Sequence, residues 1–457
     1  VRASAHVQGV LEVPGDKSIT HRAVMLNALS DGVATITGAG LGGDCLSTAG
    51  AMRALGARVE RRWPSGELTR DLRHDPETGL DVREDAVLIV HGTGGASHGG
   101  LTEPVDVIDA GNSGTTARLL TGILAAQPFL TVLTGDESLR SRPMARVITP
   151  LRLMGARIEA RARGSLLPLS VAPGVLQGIR YALPVASAQL KSALILAGLF
   201  ADGETVVESP EASRDHTERM LAAQGADVHT DASGLAVHVR PTGRPLRPVD
   251  VAVPGDISSA AFWLVAACIH PQARVTVRNV GINPSRTGIL DALRAMGATI
   301  DVEHERLVGG EPVADLTASS ARLRGVGIGG AIVPRLVDEL PILAIAAAVA
   351  EGTTTISDAA ELRVKESDRI ATVAAGLTAL GVPVTERPDG MVISGGGGIG
   401  GGEISSHGDH RIAMAFAVAG LVAAGDVVIG GAGAVDISYP AFWPTLGTIA
   451  PGAVREA

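Results

Sequence analysis

Lys191 to Glu208 reads KSALILAGLFADGETVVE: an Ala- and Leu-rich stretch, a glycine turn, then a short β-branched run. The first part has the composition of a buried helix and the last that of a strand, so the phrase is one helix turning back into one strand. The same phrase occurs six times. The other copies run from Arg22 to Thr37 (RAVMLNALSDGVATIT), Ala117 to Leu133, Ala260 to Val277, Leu340 to Ser357 (LPILAIAAAVAEGTTTIS) and Arg411 to Ile429. A second phrase, a helix ending at glycine before a strand, follows in five of them, at Leu55-Gly56-Ala57, Met154-Gly155-Ala156, Gln224-Gly225-Ala226, Met296-Gly297-Ala298 and Leu380-Gly381-Val382. Glycine alone enters the left-handed region without a Cβ penalty, so these five are read as helix C-caps. Leu446-Gly447-Thr448-Ile449 is read as a degenerate sixth.

Most copies are spaced by roughly 70 to 80 residues, the size of a compact βαβαββ unit and too long for a solenoid repeat. Six small α/β units are therefore expected, three on each side of the proline-rich stretch Arg240 to Pro254. The first interval is longer, and its excess, Trp63 to Gly100, reads as an inserted polar excursion. If the strand Val7 to Val13 joins the second half, the chain crosses between the halves twice and forms a hinge.

The chain has 457 residues, 46% hydrophobic and 19% charged, with a net charge of -9, which suits a globular protein of at least two domains. A negative balance argues against nucleic acid or an anionic membrane as partner, so basic clusters are read as local and site-directed. Aromatic residues are only 2%, which predicts an aliphatic core. Two cysteines, Cys45 and Cys268, cannot build a disulfide framework, and a reducing, cytoplasmic setting is expected. The apolar run Ile412 to Ala424 is too short to span a bilayer.

Basic and small residues gather where the repeat helices begin. Pro14-Gly15-Asp16-Lys17-Ser18-Ile19-Thr20-His21-Arg22 brings a lysine, two hydroxyls and an arginine to a helix start, an anion site by both dipole and charge. Gly111 to Arg118 (GNSGTTAR) lets backbone N–H groups approach a ligand, although a plain capped turn explains it equally well. Arg140 and Arg142 form a candidate carboxylate or phosphate clamp. Ser187, Ala188 and Gln189 open the third repeat helix, and Ser213 and Arg214 precede another. In Arg363 to Arg369 (RVKESDR), Lys365 and Arg369 are read as lying on one helical face, with Glu366 one step round. A solvated helix with internal ion pairs explains that segment as well. His407-Gly408-Asp409-His410-Arg411 lacks the spacing of a metal site, and Arg411 is read as a further anion contact. Such a set would balance two polyanionic substrates and leave Asp338 and Glu366 for proton transfer.

Six ordered motifs, PGDKSITHR, GNSGTTARL, SRPM, ASAQLKSA, RVKESDR and GDHRIAMAF, resemble those of the enolpyruvyl transferases over nearly the whole chain. The resemblance implies an α/β fold of two inverse domains, each of three βαβαββ units around a pseudo-threefold axis, joined by a two-stranded hinge. Residues 14–252 would form the first domain, and residues 1–13 with 253–457 the second. It also implies transfer of the enolpyruvyl group of phosphoenolpyruvate to the 5-hydroxyl of shikimate 3-phosphate, on the shikimate route to aromatic amino acids. No metal or organic cofactor is implied, and a cytoplasmic monomer is expected.

Carried over by motif, Lys17, Ser18, Arg22, Ser187, Ala188, Gln189, Ser213, Arg214, Asp338 and Lys365 would contact shikimate 3-phosphate. Lys17, Gly114, Arg142, Gln189, Arg369 and Arg411 would hold phosphoenolpyruvate, and Asp338, Glu366 and Lys17 would be catalytic. Many members carry a further lysine near the C-terminus, which Val435 to Pro440 lacks. Gly114, where herbicide-insensitive members can carry alanine, implies inhibition by glyphosate. Three alternatives remain at this stage: transfer to UDP-N-acetylglucosamine, transfer to a specialised shikimate-like acceptor, and a non-catalytic anion-binding relative. The UDP-N-acetylglucosamine branch is marked by an asparagine after the first lysine and a cysteine in the arginine loop. Here those places hold Ser18 and the cysteine-free Leu139 to Met144.

Overall fold

The computed structural model describes residues 1–79, 81–82, 86–95, 100–241 and 243–455. The chain divides into two compact units, Gly15–Val253 and Val1–Pro14 with Pro254–Ala457, and passes between them twice. Each unit has its own core cluster.

All six copies of the first phrase form the expected pair. The helices are Lys17–Leu29, Gly114–Leu124, Ala188–Gly198, Ile257–Ile269, Leu340–Val349 and His410–Gly420. The strands that follow are Val33–Ala39, Thr131–Thr134, Thr205–Glu208, Ala273–Gly281, Gly352–Ile356 and Val427–Gly430. Five of these helices begin with a capping side chain, from Asp16, Ser113, Ser187, Asp256 and Asp409, that accepts from a backbone N–H of the first turn. The helices are buried nearly all round, and every residue of Ile257–Ile269 is buried. Close packing is visible where helix Gly114–Leu124 meets helix Ala188–Gly198: a Cβ on Gly122 would lie 2.2 Å from the Ala193 carbonyl oxygen.

In the unit Gly15–Val253 each repeat makes a sheet of one pattern. A short strand pairs parallel with the strand after the helix, which pairs antiparallel with the last strand of its hairpin. Ile108–Asp109, Thr131–Thr134, Leu166–Ala172 and Arg157–Ala160 lie in that order, as do Arg180–Ala182, Thr205–Glu208, Ala236–Arg240 and Asp227–Thr230. The first sheet borrows its edge. Val251–Ala252, from the end of this unit, pairs parallel with Ile36–Thr37. In the other unit the strand Val7–Leu11 pairs parallel with Ala273–Val277, so the edge strand comes from the chain's beginning. The five C-cap glycines all have positive φ, from +78° at Gly381 to +104° at Gly155.

Three features depart from the sequence reading. Phe442–Ile449 is one helix with Gly447 inside it, and the sheet of the sixth copy has only the strands Gly402–Ser405 and Val427–Gly430 among the described residues. The sixth copy thus keeps its βαβ part and replaces the hairpin with a helix. That helix carries the second departure: Phe262, Trp263, Tyr439, Phe442 and Trp443 stack in one nest, with Trp263 and Phe442 centroids 5.0 Å apart. Half of the chain's ten aromatic residues sit there, and each of the large buried rings is worth about 1.5–3 kcal/mol of burial. The third is the excursion after Trp63, of which residues 80, 83–85 and 96–99 lie outside the described residues, as does Thr242 of the boundary stretch. Its described part is not all insertion, since Ala86–His91 pairs antiparallel with both Val33–Ala39 and Arg58–Arg62 as a strand of the first repeat's own sheet, and Arg73 pairs with Asp81. No helix among the described residues is long and apolar enough to cross a membrane.

Candidate active site

Lys17 opens the helix Lys17–Leu29, and its ammonium pairs with the Asp44 carboxylate at 3.0 Å. Arg22 lies one turn further in than the motif suggested, at the sixth position of the helix rather than the first turn. It folds back along the helix: Nη1 donates to the Ser18 carbonyl at 3.0 Å, Nε to Thr217 at 2.7 Å and Nη2 to Ser192 at 2.8 Å. Arg214 reaches the same helix start, donating to the Ser18 hydroxyl at 3.2 Å. Lys17, Ser18, Arg22 and Arg214 therefore belong to one cluster. Ser213 precedes Arg214, and its buried hydroxyl has no hydrogen-bond partner among the described residues. Its carbonyl accepts from Lys191, which forms a buried ion pair with Glu218 at 2.6 Å.

A second cluster of the same unit gathers at the start of helix Gly114–Leu124. Arg142 donates to the Asn112 carbonyl and side-chain oxygens at 3.1 and 2.6 Å and to Ser138 at 3.0 Å. Gln189 bridges Arg118, at 2.7 Å, and Thr115, at 2.9 Å. Gly114 sits where a Cβ would come within 2.6 Å of Arg118 Nη1 and 3.6 Å of Arg142 Nη1. Ser187 caps the helix that Ala188 and Gln189 begin. Arg140 donates to the Gly135 carbonyl and props its own loop, so Arg142 alone of the pair faces this cluster.

The other unit carries the carboxylates. Asp338 Oδ1 lies 3.3 Å from Lys365 Nζ and 3.5 Å from Arg369 Nη1, and its carbonyl accepts from Arg411 at 3.1 Å. Glu366 pairs with Arg369 Nη2 at 2.7 Å. Lys365 and Arg369 converge as expected, but not through a shared helical face. Asp368 accepts from the Ala371 N–H and starts the helix at Arg369, leaving Lys365 and Glu366 in the bend between the 3-10 turn Ala360–Val364 and that helix. The amphipathic-helix reading of this segment is thereby corrected.

Burial opposes ionisation of Asp409, yet the Arg369 guanidinium overrides it and holds that carboxyl below its ordinary range. In turn, Arg369 is pushed above its usual value against the cost of burial, by Asp409 and Glu366. Burial raises the Glu339 carboxyl, with Arg286 and Arg411 opposing it. Among the described residues no group of three His, Cys, Asp or Glu side chains converges as a metal centre.

Sequence reasoning found the cations and missed their partners. Asp44, Asn112, Arg118 and Asp409 complete the clusters; Asn112, Arg118 and Asp409 stand inside quoted motifs without a role read for them, and Asp44 alone lies outside those motifs. Lys17, Lys365 and Arg369 are charge-matched within their own units, whereas the hydrogen bonds described for Arg22, Arg142, Arg214 and Arg411 go to hydroxyl, amide and carbonyl oxygens. What they retain is a fixed array of donors at helix starts.

The model of one protein family, EPSP synthase (3-phosphoshikimate 1-carboxyvinyltransferase), matches residues 1–446. The 3-phosphoshikimate 1-carboxyvinyltransferases of Roseiflexus castenholzii and Roseiflexus sp. are 53% and 52% identical to it, each over 97% of both chains. The solved structure of EPSP synthase from Acinetobacter baumannii superposes with a TM-score of 0.80 at 43% identity, covering 98% of this chain and 97% of that one. An alignment that runs nearly end to end on both sides, with the same fold, leaves one conclusion: the chain belongs to the EPSP synthase family.

Proposed function

We propose that this chain is a 3-phosphoshikimate 1-carboxyvinyltransferase, moving the enolpyruvyl group of phosphoenolpyruvate to the 5-hydroxyl of shikimate 3-phosphate and releasing phosphate. The observation that carries the residue-level reading is Asp338 held beside Lys365 and Arg369, with Glu366 on the same guanidinium. In the addition step Asp338 takes the hydroxyl proton, the oxygen bonds to C2 of phosphoenolpyruvate, and Glu366 gives a proton to C3. In the elimination step Glu366 takes a proton back from C3, the C2–O bond to phosphate breaks, and Asp338 returns its proton to the leaving group. Atoms and electrons balance with two carboxyl groups, so the proposal assigns no metal or organic cofactor.

Lys17, Ser18, Arg22, Ser213 and Arg214 are assigned to the acceptor's phosphate, a role supported by their shared helix start and the unpartnered Ser213 hydroxyl. Ser187, Ala188, Gln189 and Lys365 are assigned to the acceptor ring. Gly114, Arg142, Gln189, Arg369 and Arg411 are assigned to phosphoenolpyruvate, with Lys17 near the reacting centre. The proposal includes a monomer working in the cytoplasm, without nucleic acid or membrane.

Phosphate release from phosphoenolpyruvate is measured in chelator-treated buffer with shikimate 3-phosphate and, in parallel, with UDP-N-acetylglucosamine. Release with shikimate 3-phosphate alone is the expected result. Release with the nucleotide sugar, or with neither acceptor, overturns the assignment.

A further inference from the structure

The sequence Val13-Pro14-Gly15-Asp16-Lys17-Ser18 recurs later as Val253-Pro254-Gly255-Asp256-Ile257-Ser258. The two copies occupy the same scaffold, each in its own unit. Both lead into a 13-residue helix capped by the motif's aspartate, with Asp16 accepting from Ile19 N and Asp256 from Ser258 N, each at 2.9 Å. Both helices return into a strand broken by a bulge, between Ile36 and Ala39 and between Val277 and Val280. Each bulge holds a residue of left-handed backbone, Gly38 at φ +66° and Asn279 at φ +57°.

The contents of the two helix starts differ. In the first copy the motif supplies Lys17 and Arg22. In the second their places are taken by Ile257 and Phe262, both buried, while Ser258 keeps the hydroxyl of Ser18. The Ser258 hydroxyl donates to the Glu339 carboxyl. Arg286 closes the group: Nη2 donates to Ser258 Oγ at 2.7 Å and to Asp256 at 3.1 Å, and lies 3.9 Å from Glu339 Oε1. Glu339 and Arg286 are 1% and 3% exposed. The helix start that binds a substrate anion in one unit, under the proposed function, holds the chain's own carboxyl group in the other.

Glu339 directly follows Asp338, and the two point to different neighbours. The Asp338 carboxylate meets Lys365 and Arg369, its carbonyl meets Arg411, and the next side chain is clamped by Ser258 and Arg286. We propose that Glu339 is a positioning residue for Asp338: its carboxyl fills the anion place at the Asp256–Ser258 helix start and thereby fixes the backbone from which Asp338 works. This rests on the reading of Asp338 as the group that takes the acceptor's hydroxyl proton. A displacement of a fraction of an ångström there would slow proton transfer while leaving the acceptor's own contacts intact.

The test uses the full chain carrying Glu339→Ala or Ser258→Ala. It measures turnover by phosphate release, shikimate 3-phosphate binding by calorimetry without phosphoenolpyruvate, thermal midpoint, and rescue by sodium formate. Glu339→Ala should lower kcat about 10- to 100-fold while the acceptor's dissociation constant moves less than about threefold, and formate should restore turnover several-fold by refilling the vacated place. Ser258→Ala should lower kcat about three- to tenfold with little change in midpoint. Inactivity of the unsubstituted chain removes the functional reading itself. With that chain active, both variants within about twofold of it overturn the positioning role alone, as does a Glu339→Ala loss that formate leaves untouched while Ser258→Ala turns over normally. If Glu339→Ala does not fold, Ser258→Ala decides: reduced kcat at an unchanged midpoint supports the role, and undiminished kcat overturns it.

Discussion

Arg369 and Asp409 face each other as a bidentate pair, Nε to Oδ2 at 2.8 Å and Nη2 to Oδ1 at 3.2 Å, with both side chains buried. The same guanidinium also meets Glu366 and Asp338, so its plane and position are fixed before any substrate anion arrives. Asp409→Asn keeps the shape but removes the charge that justifies a buried arginine. Loss of one partner of such a pair costs about 3–5 kcal/mol, which should show as a lower midpoint in denaturant. The KM for phosphoenolpyruvate should rise at least as much as that for shikimate 3-phosphate. A stable variant with both KM values unchanged would show that Asp409 does not hold Arg369 for the donor.

Asp338→Asn and Glu366→Gln separate the proposed proton transfers from binding. Each amide keeps the size of the carboxyl it replaces, and each should lower kcat by about 10²- to 10⁴-fold. Acceptor binding without phosphoenolpyruvate should stay within a few-fold for Glu366→Gln, because Glu366 is assigned to the donor's C3. Undiminished turnover in both variants would sink the assigned chemistry.

Gly114→Ala tests the donor cluster by volume alone. Gly114 has no positive φ, so alanine brings no backbone strain, but its Cβ would stand 2.6 Å from Arg118 Nη1. Arg118 is tied to Gln189 and to the Pro143 carbonyl, so it cannot swing away without loosening Gln189. The expected result is a higher KM for phosphoenolpyruvate and, on the glyphosate reading, a larger rise in the inhibitor concentration needed for half inhibition. A dose–response assay on both proteins checks it, and unchanged curves would show that Arg118 gives way freely.

The repeats were legible because they are local. Helix, glycine and β-branched strand follow one another within a few turns of chain, and the same capping chemistry recurs at Asp16, Ser113, Ser187, Asp256 and Asp409. The charge partners were not, because topology brings them together. Asp44 reaches Lys17 from the next helix, and Asp409 reaches Arg369 from the following repeat. The spacing of Lys365 to Arg369 fits a helix, yet the Asp368 cap outweighs that pattern and starts the helix at Arg369. The aromatic nest escaped because a 2% composition conceals clustering: Phe262 and Trp263 lie far in sequence from Tyr439, Phe442 and Trp443.

His21 should make the fold acid-sensitive in a way one substitution can isolate. Its ring is buried within the first motif, Nδ1 lies 2.6 Å from Thr48 Oγ1, and Nε2 has no hydrogen-bond partner among the described residues. From Thr48 the contacts run to Thr116 at 2.6 Å and on to Ser113, the cap of the helix that Gly114 begins, at 2.7 Å. Burial, with Lys17 and Arg22 adding to it, holds His21 well below its ordinary value, so the folded chain keeps the ring neutral. The unfolded chain takes up a proton at a pKa of about 6.5 and the folded chain does not, so stability falls as pH drops below that point. One such group contributes about 1.4 kcal/mol per pH unit until the folded-state pKa is reached. His21→Gln removes the titration, so its denaturant midpoint should fall less steeply than that of the unsubstituted chain between pH 7 and pH 5. Parallel pH dependences in the two proteins would mean that His21 is protonated in the folded chain, against its burial.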